Sequence, residues 1–212
     1  MTRRSMAGGV SFAVLALAVY GLFIATPPGP RSLTDFDPDR TAALEVDMWQ
    51  AYYGGRNVRL FWDLVTLTHE QYRYPWAKAA TSGFHLARAA AQFAGMHANY
   101  EQVIPDLERA YTIARDWTGA SFDPAAVARA ELAWWVARRQ PGQDSPEQVG
   151  GLLADENALL YGVARSAVLD ASVLRARAGK LRDNGGAHAD WAEVSRLLVE
   201  SFRSLHSAVN RQ

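Results

Sequence analysis

From about Asp37 onward, apolar side chains recur every three or four residues, the spacing of one face of an α-helix. Leu60, Leu64 and Leu67 form one such stripe, and Val194, Leu198, Phe202, Leu205 and Val209 form another. No convincing run alternates with a period of two, so no strand is predicted. Start signals divide the pattern. Asp37-Pro38, Asp123-Pro124 and Ser145-Pro146 each set a side-chain oxygen before a proline, whose missing N–H costs nothing at the first helical position. Asp190 with Glu193, and Asn99 with Gln102, have the spacing of a reciprocal cap. Stops fall at Gly54-Gly55, Gly95, Gly119, Pro141-Gly142, Gly162 and Asn184-Gly185-Gly186. These marks predict helices over 38–53, 57–72, 75–94, 100–117, 124–139, 146–161, 164–182 and 190–209, with Pro105 kinking or delaying the fourth. Short turns between them make antiparallel hairpins, so the expected architecture is an all-α domain over 38–212.

The N-terminal pattern is different. No charged residue lies between Arg4 and Arg31, and Val10 to Ala25 is almost wholly apolar. With Ala7, Gly8 and Gly9 added, the stretch reaches the roughly 20 residues needed to cross a bilayer core. Residues 1–26 are therefore expected to be a membrane anchor that contacts lipid through 7–26. Arg3 and Arg4 would keep the N-terminus cytoplasmic and place the domain outside, in the periplasm or its equivalent. A cleaved signal peptide is the alternative, although Phe23 is bulky where a cleavage site wants a small residue. Pro27, Pro28 and Pro30 make 27–37 a stiff extended linker.

Residues 86–115 carry a resemblance. Asn99 to Ile113 is similar to the second helix of a tetratricopeptide repeat, with Tyr100, Leu107 and Ala110 at matching positions. Phe93-Ala94-Gly95 would close the repeat's first helix. Asp190-Trp191 to Phe202 has similar character, yet Tyr100 and Trp191 are 91 residues apart, not a multiple of the family's period of about 34. The resemblance implies a helical-hairpin interaction domain and assigns no functional residue.

Composition narrows the function classes. The 212 residues carry 22 basic and 22 acidic side chains, so the net charge is zero and nucleic acid is not an expected partner. With no cysteine, thiolate metal sites, thiol nucleophiles and disulfides are excluded. His69-Glu70 opens like a zinc-protease motif, but position 73 is arginine, and no metal or cofactor is expected. The basic positions Arg165, Arg175, Arg177, Lys180 and Arg182 suggest a solvated helix face.

Two constellations remain. Between Trp49 and Trp76 the chain concentrates aromatic rings, of which Trp49, Tyr53, Trp62, Tyr72, Tyr74 and Trp76 are candidate ligand or partner contacts. Glu131 lies among Leu132, Trp134 and Trp135, with Arg138 seven residues on along the same face. The pair is a candidate buried ion pair, and a glutamate against indoles could alternatively act as a general acid. The leading expectation is a membrane-anchored, extracytoplasmic helical module that binds other membrane or periplasmic proteins, as an accessory or assembly subunit, with no catalytic residue. The alternatives are a binding protein for an apolar or planar molecule in an aromatic pocket, and a periplasmic hydrolase using Glu131.

Overall fold

The computed structural model describes residues 14–211. Among them are eight long α-helices: α1 Pro38–Tyr53, α2 Asn57–Gln71, α3 Trp76–Gly95, α4 Ile104–Thr118, α5 Pro124–Ala137, α6 Pro146–Tyr161, α7 Arg165–Gly185 and α8 Trp191–Val209. The all-α architecture is as the periodicity expects. Four start signals do what their chemistry requires. Asp37 accepts from the Asp39 and Arg40 amides, Asp123 from Ala125, Ser145 from Gln148 and Asp190 from Glu193. Asn99 does not cap. It takes a left-handed conformation (φ 55°), opens the 3-10 turn Tyr100–Val103, and α4 begins only at Ile104, with Pro105 in its first turn.

Each helix packs against its neighbours in sequence, and α8 returns to pack against α1. The result is a closed ring of eight antiparallel helices. Its apolar core is spread around the wall as separate clusters. Val194 and Leu198 of α8 meet Ala42 of α1 and Ala178 of α7, while Phe93 of α3 meets Leu107 of α4 and Leu132 of α5. Close helix approach is permitted by glycine at two seams. A Cβ on Gly150 would stand 2.7 Å from Val173 Cα, and one on Gly83 would stand 2.9 Å from Val65 Cγ2.

The proline-containing segment is not the extended linker expected but bends repeatedly, at residues 28, 29, 31, 33 and 34, and its last residues are packed on the end of the ring where α2, α4, α6 and α8 finish. Leu33 is buried with Ala114, Phe122 and Val127, and Phe36 with Ala154, Val168, Leu205 and Val209. Arg31 stacks over Trp117 at 3.8 Å from the ring centroid, and the Asp37 amide donates to Gln71 Oε1 at 2.9 Å. This segment plugs one end of the ring.

Of the expected anchor, residues 1–13 lie outside the described residues. Residues 14–19 are α-helical and Tyr20–Ile24 is a π-helical turn that rests against α3. Among the described residues, no helix is long and apolar enough to cross a membrane.

Candidate functional site

The ring surrounds a central, partly open chamber of two lobes. The larger has about 230 Å³ and is walled by Tyr72, Tyr74, Tyr111 and Tyr161 among Leu and Ala side chains. The smaller has about 160 Å³ and is walled by Trp49, Tyr52, Phe93, Trp134 and Trp135, with Arg138 and Arg182 at its end. They are called here the tyrosine lobe and the arginine lobe. Both are lined by Glu45, Met48, Leu64, Leu86, Glu131 and Arg175, so they meet at a belt of charged side chains.

Helix register puts these groups inside. Thr41, Glu45, Met48 and Tyr52 follow one another at three- and four-residue steps on α1, and all four line the chamber. On α7, Arg175 and Arg182 are two turns apart on the inner face, while Arg177 points outward and is half-exposed. The solvated face expected for this helix therefore holds for Arg165 and Arg177 and fails for Arg175 and Arg182.

The belt contains three carboxyl groups and one guanidinium. Glu45 is buried and takes Arg175 side-on, with Arg175 Nε at 2.9 and 3.2 Å from its two oxygens. Burial alone would lower the pKa of Arg175, but the Glu45 carboxylate overrides it and holds the guanidinium above its ordinary value. Glu156 is held by two donors, the Tyr111 hydroxyl at 2.9 Å and the Trp134 indole N–H at 2.5 Å. Burial still raises its pKa, against Arg175 and both donors.

Glu131 has the least support of the three. Burial first, and the Glu156 carboxyl second, push its pKa up to about 8, so it keeps its proton at neutral pH. The Tyr111 phenol lies against it as well as against Glu156, but its Oε2 is buried without any hydrogen-bond partner. The Tyr74 hydroxyl, in the tyrosine lobe, is also unpartnered. Two deeply buried serine hydroxyls of the chamber are satisfied: Ser172 donates to Val168 O at 2.8 Å and Ser201 to Ala171 O at 2.7 Å. Unsatisfied polar groups are concentrated where the space is, which is the pattern of a site awaiting an occupant.

The sequence-predicted residues divide. Glu131 and Arg138 do not pair. Arg138 caps the C-terminus of α5 and turns to Tyr53, donating to its hydroxyl at 2.6 Å, and to Asp183 at 3.6 Å. Two helical turns separate it from Glu131, a rise of about 10.5 Å, too far for one side chain to close. Trp49 and Tyr53 sit at the arginine lobe, and Tyr72 and Tyr74 line the tyrosine lobe. Trp62 and Trp76 stay outside, 53% and 40% exposed, with Trp76 stacked on His69. Sequence reasoning did not single out Glu45, Tyr111 or Glu156, and it placed Arg175 on a solvated face. Their signal was the inward register of charged positions within apolar helices, legible only once the ring defines an inside.

A scan against family models and comparisons with curated proteins and with solved structures give no match for this chain.

Proposed function

We propose that this protein binds a small molecule in the chamber, and that the domain stands at the outer face of a membrane, held by residues 7–26. The carrying observation is the chamber with a buried carboxyl oxygen, Glu131 Oε2, that no protein group satisfies. A protein gains nothing by enclosing such a group for packing alone, because an unsatisfied buried acceptor costs about 1–3 kcal/mol. The aromatic walls add rings for apolar or planar surface.

The test is to fill the space. Ala90→Leu intrudes on the arginine lobe and Ala110→Leu on the tyrosine lobe. In thermal melts against small amines, amino acids and aromatic acids, at least one class should raise the wild-type midpoint. A filled variant should lose that response. If both variants melt higher than wild type and no class moves wild type, the chamber is a packing void and the reading fails.

Support for the anchor comes from the described part of 7–26. Val14, Leu15, Leu17, Val19, Tyr20, Leu22, Phe23 and Ile24 are all exposed, an apolar surface that water disfavours and lipid would cover. A reporter fused after Gln212 should be active outside the cytoplasm, and the mature chain should retain Met1. A mature N-terminus near Thr26 would remove the anchor.

A further inference from the structure

Among the described residues, four buried side-chain polar atoms lack a hydrogen-bond partner: Arg73 Nε, Tyr74 Oη, Glu131 Oε2 and Arg138 Nε. Two of these residues, Glu131 and Arg138, line the arginine lobe. One offers a carboxyl oxygen and the other a guanidinium N–H. They stand seven residues apart, Glu131 on α5 and Arg138 at its C-terminal cap, a rise of about 10.5 Å. The lining beside them is apolar, with Leu86, Ala90 and Phe93 from α3 and Trp134 from α5 itself.

The charges have a matching polarity. At the end of the lobe, Arg138 lies 3.6 Å from Asp183, and Arg182 donates to the same carboxylate at 2.9 Å. Two cations share one anion, which leaves a net positive charge. At the belt, Glu45 and Arg175 cancel, leaving Glu156 and Glu131 without a counter-cation of their own. The arginine lobe is thus positive at its end and carries at its inner limit a carboxyl group, Glu131, that becomes an anion once it gives up its proton.

Resting on the chamber reading above, we propose that the arginine lobe takes a zwitterion, with its ammonium at Glu131, its carboxylate at Arg138, and an apolar, preferably planar body between. A bare amine would leave Arg138 Nε unpaired, and a bare carboxylate would leave Glu131 unpaired. Only a molecule with both ends satisfies both atoms. Binding is written as Glu131–COOH + H₃N⁺–R → Glu131–COO⁻···⁺H₃N–R + H⁺, the proton passing to solvent. The ligand therefore binds more tightly as pH rises from about 6 to 8.

Three probes separate the ends: 4-(aminomethyl)benzoate, benzylamine and benzoate. Calorimetry on the full chain should show the zwitterion binding at least tenfold more tightly than either single-ended probe. Repeating the titration in buffers of different ionisation enthalpy should show proton release at pH 7. Glu131→Gln, which keeps the shape of the side chain, should reduce the zwitterion to the affinity of benzoate and abolish the proton release. Arg138→Met, which removes the cation, should reduce it to the affinity of benzylamine. Benzylamine binding as tightly as the zwitterion would overturn the two-ended ligand while leaving the chamber reading intact. Binding of none of the three overturns it as well, and the filled-chamber variants then decide the chamber reading separately. Zwitterion binding unchanged in Glu131→Gln would place the ligand elsewhere and overturn the assignment.

Discussion

Glu131→Gln is expected to flatten the pH dependence of stability between about pH 5 and 8, and to be more stable than wild type above pH 8. The unfolded chain releases the Glu131 proton near the ordinary value of 4.5, whereas the folded protein holds it up to about 8. Between those values the native state binds the extra proton. Stability is therefore fully present below about pH 4.5 and is lost as pH rises through about 8. One proton corresponds to about 1.4 kcal/mol per pH unit at most. Glutamine carries no proton to lose, so that fall disappears. Near pH 5 the two proteins should agree within about 1 kcal/mol, since each then carries a neutral polar group. At pH 8.5 the variant should lead by about 2–4 kcal/mol. A residual slope of the same sign remains from Glu156, whose pKa burial also raises. Chemical denaturation at pH 5, 7 and 8.5 measures all three points. Had Glu131 been paired with Arg138, neutralising it would destabilise the protein throughout the neutral range. Parallel wild-type and variant curves would show that Glu131 does not titrate on unfolding.

The helices were legible because their punctuation is local. An Asp or Ser before Pro needs only its own next turn to act, and all three such pairs cap as expected. Asn99 shows the limit, since the same spacing is consistent with a left-handed residue entering a 3-10 turn, and Pro105 removes the amide that an earlier start would need. The ring was not legible. Antiparallel hairpins can stack into a layer, a superhelix or a closed barrel, and only the meeting of α8 with α1 decides between them. The site follows from that closure. Arg175 and Arg182 are two turns apart on α7, as are Glu131 on α5 and Arg138 at its C-terminal cap. In a bundle with a dry centre these positions would be read as surface. Around a chamber they are its lining.

Arg175→Met should be among the most destabilising single changes in the domain. The guanidinium is the counter-charge of Glu45, whose side chain is only 4% exposed, and it also steadies Glu156 across the belt. Methionine fills much of the volume but leaves Glu45 enclosed without a cation, a loss of about 3–5 kcal/mol. For a domain of this size that lowers the melting midpoint by about 10 °C. Glu45→Gln removes the other partner and should cost less, because Arg175 still has Glu156 as a second anion within the belt. The double variant should recover part of the loss, since Glu45 then no longer leaves an unpaired charge beside the chamber. A coupling energy of about 2 kcal/mol or more in the four-protein cycle is the expected result. If the two changes add with no coupling, the belt is solvated strongly enough to screen its charges. In that case the low-dielectric argument for Glu131 retaining its proton would fail with it, because the same enclosure governs both.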